Sequence, residues 1–188
     1  MTVAQQRLTL ADYLKYEAPT EKRYELVNGE LIEMPAESDI NQRIAMFLLI
    51  YFSQQGIPHY CLRIGLEIAV SGTFATVRLP DLAVLSDEAA LALEGANLSI
   101  ITYDMPPPQL VVEVVSPGQA SRDYRHKRSE YAARGISEYW IIDPSKEQVL
   151  ILVWTDGLYE ESAFQQEQRL KSSLFPTLEL TAQRVLAG

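Results

Sequence analysis

The sequence predicts an α/β fold with a mixed central sheet flanked by helices. Three features carry that prediction. Residues 110–115, LVVEVV, form a near-continuous β-branched run of the kind buried on both faces of a sheet. Residues 38–55 repeat apolar side chains at helical spacing. The predicted elements then run hairpin, helix, strands, helix, strands, an order that places helices on a mixed sheet.

Taken in order, Thr9 is placed to cap a short helix through Leu10, Tyr13 and Leu14. Within residues 24–34, Asn28-Gly29 separates two strand-forming runs. The pair suits a type I′ turn, which needs positive φ at both central positions. Ser38 caps the next helix, with Ile40, Ile44, Phe47, Leu48 and Tyr51 on one side and Gly56 and Pro58 ending it. Residues 62–70 and 75–79 read as two strands joined around Ser71-Gly72. Pro80-Asp81 and the short run LAVL follow. Residues 86–105 carry a weaker pattern, part of it helical, before three prolines at 106–108 force extended backbone. After the central run, Ser116-Pro117-Gly118 stops the strand, a helix spans about 122–134, and Gly135 closes it. EYWIID and VLILVW then read as two strands around Asp143-Pro144.

At 188 residues the chain has the length of one domain, 1–188, with 47% hydrophobic and 22% charged residues. No run approaches the roughly 20 apolar residues that span a bilayer. The N-terminus is too polar for a signal peptide, and the single Cys61 fits a reducing compartment, so the expectation is a cytoplasmic protein. One cysteine with two histidines, His59 and His126, is too few for a Cys/His zinc site. Neither a P-loop nor a nucleophile elbow is present. Hydrolytic chemistry would therefore rest on carboxylates, lysine and a hard metal ion.

The net charge of −9 opposes indiscriminate nucleic-acid binding, but it is uneven. Residues 122–134 hold five cations against two carboxylates, a local +3 that leaves −12 on the remainder. Glu113 is the most informative residue. A carboxylate inside a buried strand costs several kcal/mol unless it is neutralised, paired or metal-bound. It either pairs with an arginine, lies near the strand's open end, or serves a site. Asp81 alone would suit a turn, yet a strand follows it. Two carboxylates on neighbouring strands would make a hard oxygen site for Mg²⁺ or Mn²⁺. Tyr124, Lys127 and Tyr131 share a helix face, so Lys127 points inward if the tyrosines pack on the sheet; otherwise its stem packs and its ammonium reaches water. An inward lysine could orient water or offset phosphate charge. Arg125 and Arg128 are candidate phosphate contacts.

The strings YELVNGELIEMP, RLPDLAVLS, PPPQLVVEVVSP and DYRHKRSEYAARGISEYWIIDP resemble the Uma-type restriction endonuclease family of the PD-(D/E)XK nuclease superfamily, over residues 8–186. The resemblance implies a nuclease-like fold, a divalent metal at Asp81 and Glu113, DNA as partner and Lys127 as catalytic lysine. The superfamily pattern sets a lysine two positions after the glutamate, where this chain has Val115. Lys127 would replace it from the adjacent helix. Asn41 stands where similar sequences often carry histidine, and Glu37 is an added acidic candidate whose plainer reading is a surface carboxylate. The leading expectation is a Mg²⁺-dependent DNA endonuclease, homodimeric if it cuts both strands. The alternative is a non-catalytic module, binding nucleic acid or protein on the same fold. A two-carboxylate glycosidase fits the carboxylates but not the basic helix.

Overall fold

A computed structural model describes residues 7–16, 23–70, 74–116, 118 and 120–188. The first helix, α1 (Leu10–Tyr13), is capped by Thr9. The Thr9 side chain accepts from the Asp12 N–H while the Asp12 carboxylate accepts from the Thr9 N–H. Strands β1 (Tyr24–Val27) and β2 (Glu30–Glu33) form the expected hairpin, with φ of 50° at Asn28 and 81° at Gly29. A Cβ on Gly29 would also lie 2.7 Å from the Arg7 Cβ, so close approach as well as φ requires glycine there. Ser38 caps α2 (Asp39–Gln54), accepting from the Asn41 N–H.

Residues 62–70 are not one strand. Gly65, at φ 73°, breaks them into β3 (Leu62–Arg63) and β4 (Glu67–Val70), and the two pieces join different sheets. β4 pairs antiparallel with β5 (Thr76–Arg78); the Ser71-Gly72 turn lies outside the described residues. Then come β6 (Leu82–Val84), a short α3 (Asp87–Ala92) capped by Ser86, β7 (Ile100–Ile101) and β8 (Leu110–Val114). Residues Arg122–Lys127 wind as a π-helical segment that passes into α4 (Arg128–Arg134), and Gly135 closes it in the left-handed region. β9 (Glu138–Asp143), β10 (Gln148–Thr155), β11 (Leu158–Gln165) and α5 (Ala182–Ala187) complete the chain.

Two sheets replace the single sheet expected from the sequence. One runs β2-β1-β5-β4-β7 and the other β11-β10-β9-β8-β6-β3. The hairpin therefore belongs to a second layer rather than to the central sheet. In the six-stranded sheet β8 is parallel to β9 and antiparallel to β6. Alternate residues of β8 serve opposite cores. Leu110, Val112 and Val114 pack with Ile44, Leu48 and Phe52 of α2 and with Val185 of α5. Val111 and Val115 pack with Tyr131 and Ala132 of α4 and with Ile68 of β4. Glu113 shares that second face, between the sheet and α4. Being covered on both sides explains why β8 reads as a continuous apolar run.

Candidate active site

Asp81 directly precedes β6, and the register pairing Leu82 with Val112 sets it opposite Glu113. The Val114 N–H donates to Asp81 Oδ2 at 2.6 Å, which fixes the aspartate against the end of β8. Glu113, 4% exposed, is held at both oxygens. The Tyr131 hydroxyl donates to Oε1 and the Lys127 ammonium to Oε2, each at 2.7 Å. Lys127 therefore points inward. Its Nζ also lies 3.3 Å from Glu25 Oε1 and 3.3 Å from Asp123 Oδ1. Of the two places open to it from the sequence, the buried one is occupied.

The π-helical winding contributes to this placement. It widens the turn that carries Asp123 and Lys127, and the Tyr139 hydroxyl donates to the Asp123 carbonyl at 3.1 Å. Tyr124 turns aside to donate to Asp143 Oδ2 at 2.8 Å, so only Lys127 and Tyr131 of the expected face reach Glu113. Val115 is buried among apolar side chains. The lysine that lies against Glu113 is Lys127, on the helix facing it.

Three buried residues around the cleft escaped the sequence reading: Asp123, which contacts Lys127, and Glu25 and Arg78. Glu25, on β1, lies 2.9 Å from Arg78 and 2.9 Å from Arg122 as well as facing Lys127. Arg78, 1% exposed, grips both oxygens of Glu130 at 2.7 and 2.8 Å and so ties the second sheet to α4. Charges set in apolar strands, YELV and TVRL, were the available signal for Glu25 and Arg78, the same one that marked Glu113. Glu37 is also more than a surface carboxylate. It is mostly shielded, pairs with Arg23 at 3.1 Å and lines the cleft with Asp81 and Glu113. Asn41 is buried, and its Nδ2 donates to the Val114 carbonyl at 2.9 Å and to Ser116 Oγ at 3.0 Å.

These side chains line a cleft of about 40 Å³, enough for about three water-sized occupants. Its electrostatics are uneven. Burial pushes the Asp81 carboxyl up to about 7, aided by Glu37 and opposed by the Val114 N–H and Lys127. Burial raises Glu113 to about 8. Lys127 opposes that rise, while Asp123, Asp81 and Glu25 add to it. Glu25 goes the other way: burial would raise it, but Lys127, Arg78, Arg122 and the Leu79 N–H together hold it at about 2. Lys127 is shifted upward, because its carboxylates outweigh its burial. The cleft thus crowds carboxylates together: Arg23 and Arg122 engage Glu37 and Glu25, and Lys127 is shared among Glu113, Glu25 and Asp123.

The outer face of the basic helix differs from expectation at one residue. Arg125 is exposed. Arg128, however, is engaged within the fold, with Nη1 2.5 Å from Glu161 Oε2 and Nη2 donating to the Tyr159 carbonyl. Among the described residues no helix is long and apolar enough to cross a membrane.

Comparison with known proteins points the same way. The model of the Uma2 family, described as "Putative restriction endonuclease", matches residues 10–183. The solved structure of a "putative nuclease belonging to DUF820" from Anabaena variabilis ATCC 29413 superposes with a TM-score of 0.77 at 19% identity. The match covers 96% of this chain and 98% of that one, and at this identity it shows a shared fold. No curated protein matches the chain.

Proposed function

The chain belongs to the Uma2 family, described as putative restriction endonucleases, and from that premise we propose that it is a Mg²⁺- or Mn²⁺-dependent endonuclease acting on DNA. The observation that carries the reading is Glu113, held at both oxygens by Lys127 and Tyr131 and facing Asp81 across paired strands. The donor set fits a hard cation, since it offers carboxyl oxygens that burial and neighbouring carboxylates make reluctant to ionise unaided, in a cleft with room for water. Among the described residues no group of three or more acidic, histidine or cysteine side chains is gathered for a metal. A cation at Asp81 and Glu113 would therefore complete its shell with water and phosphate oxygen, the usual habit of Mg²⁺. When bound, such an ion supplies Lewis acidity and an activated water.

The protein's own residues divide the remaining work. Tyr131 and Lys127 orient Glu113, and the Val114 N–H orients Asp81. Lys127 is placed to offset charge that develops on a phosphate beside Glu113. Arg125 offers an exposed cation for a flanking phosphate. Arg128 would have to leave Glu161 to do the same. Cutting both strands with one cleft per chain calls for two copies, which light scattering of the purified protein would reveal.

The test is cleavage of single-stranded, duplex and branched DNA with Mg²⁺ or Mn²⁺, and its loss on chelation. Glu113→Gln should abolish at least 99% of the activity and leave the fold intact, because an amide is a poor ligand for a hard cation. Absence of metal-dependent cleavage across all three substrates would favour the non-catalytic reading. One observation favours that reading: the Lys127 ammonium already bonds Glu113 directly, as a cation in its own right. DNA binding should weaken steeply between 50 and 200 mM salt, since each neutralised phosphate releases counterions. Arg125→Glu should weaken it further with little change in melting temperature. Gel-shift titrations at several salt concentrations check both, and indifference to salt and to the reversal would move the DNA elsewhere.

A further inference from the structure

The cleft has a neighbour. Arg23 and Leu79 line it and also line a second hollow of about 300 Å³, walled by Tyr13, Tyr16 and Tyr24. That volume is at the small end of ligand sites. Glu67 lies in its wall, and the Tyr13 hydroxyl donates to Glu67 Oε1 at 2.7 Å. Glu67 differs from the carboxylates of the cleft, because among the described residues no cation pairs with it: Arg23, in the wall of the same hollow, pairs instead with Glu37 at 3.1 Å. Burial raises its carboxyl, and only the Tyr13 hydroxyl opposes the rise. A partly buried carboxylate with spare acceptor capacity, ringed by aromatic side chains, is suited to a flat ligand that donates N–H groups.

Building on the nuclease reading, we infer that this hollow takes an unpaired nucleobase next to the phosphate in the cleft, stacked on tyrosine and donating an amino hydrogen to Glu67. Three arguments converge. The cleft has room for an ion and water but not for a base, so the base of the flanking nucleotide must lie in adjoining space. The body of the protein is acidic, at −9 overall, which limits how far phosphate neutralisation alone can hold a duplex. Stacking on aromatic rings needs no net charge and is strong for single strands. The carboxylate also sets a preference. Cytosine presents an N4 amino group that glutamate accepts, while thymine offers a carbonyl at that position. In a duplex the same amino group is partly committed to the partner strand, so the base must be unpaired to use it fully.

The test is fluorescence anisotropy of short labelled oligonucleotides in EDTA, where no cleavage occurs. Wild type should bind a single strand more tightly than the duplex of the same sequence, and a cytidine tract more tightly than a thymidine tract. Tyr16→Ala and Tyr24→Ala should each weaken single-strand binding about tenfold. Glu67→Gln should keep that binding but narrow the cytidine preference severalfold. Tyr16 is 40% exposed, so its variant carries the test if Tyr24→Ala fails to fold. Equal binding of single strand and duplex, or unchanged binding by Tyr16→Ala, overturns the inference. The two readings fail separately. Tyrosine-dependent binding without any metal-dependent cleavage keeps the hollow and removes the nuclease. Cleavage of single strands at wild-type rate and KM by the tyrosine variants keeps the nuclease and removes the hollow.

Discussion

Replacing Lys127 with alanine should destabilise the protein by about 3–5 kcal/mol, the range found when one partner of a buried ion pair is removed. The reason is the company it keeps. Its ammonium lies within 3.3 Å of Glu113, Glu25 and Asp123, all nearly excluded from water; Glu25 keeps Arg78 and Arg122, but among the described residues no other cation pairs with Glu113. Removing it leaves carboxylates that must either stay charged in a poor solvent or take up protons. Lost cleavage in Lys127→Ala is therefore no evidence for catalysis until folding has been measured. A double-mutant cycle with Glu113→Gln separates the effects. In the Glu113→Gln background the cost of removing Lys127 should fall by at least 1 kcal/mol, because one of the stranded charges is gone. Urea melts of the four proteins decide it. Strict additivity would show that the 2.7 Å contact contributes nothing to stability, and the account of the site as an electrostatic unit would fail with it.

Much of this site was legible because a charge inside an apolar strand has few innocent explanations. That logic selected Glu113, and the strand after Asp81 supplied its neighbour. Helical spacing turned Lys127 inward, although the winding there is π rather than α and Tyr124 leaves the face for Asp143. The same logic applied to YELV and TVRL would have found Glu25 and Arg78. Their signal is weaker, because half-buried hairpin strands ordinarily carry charges on their open face. Here the second sheet presses that face against α4, and no local pattern announces such packing. The break at Gly65 and the assignment of β3 and β4 to different sheets are likewise tertiary facts. β11 was missed for a simpler reason: LYEESAFQ lies at a sheet edge, exposed at most positions, and lacks a continuous apolar run.

The second large effect concerns pH. Asp81 and Glu113 are raised to about 7 and about 8, so folding holds their protons longer than the unfolded chain does. The sign follows from linkage. Below about pH 4 both states are protonated and neither group opposes folding. As pH rises from about 4 to 8 the unfolded carboxyls ionise first, and the stability tied to these two groups is lost. Glu25, held at about 2, acts oppositely: its contribution is present above about pH 4.5 and disappears as pH falls through 2. Asp81→Asn should therefore stabilise the metal-free protein at pH 8 by roughly 2 kcal/mol, several degrees in Tm, while abolishing metal binding. A cation at the two carboxylates must displace their protons, so its affinity should climb between pH 6 and 8 by up to about 100-fold per pH unit at the acid end, where two protons leave for each ion bound. If the proposed ion binds there, chelation at pH 8 should lower the Tm of wild type and leave Asp81→Asn unchanged, because only wild type would have an ion to lose. Calorimetric titration with Mn²⁺ at pH 6, 7 and 8, in buffers of different ionisation heat, counts the protons released. Binding that ignores pH, or that survives Asp81→Asn, would place the cation away from these carboxylates and leave Lys127 as the only charge that Glu113 serves.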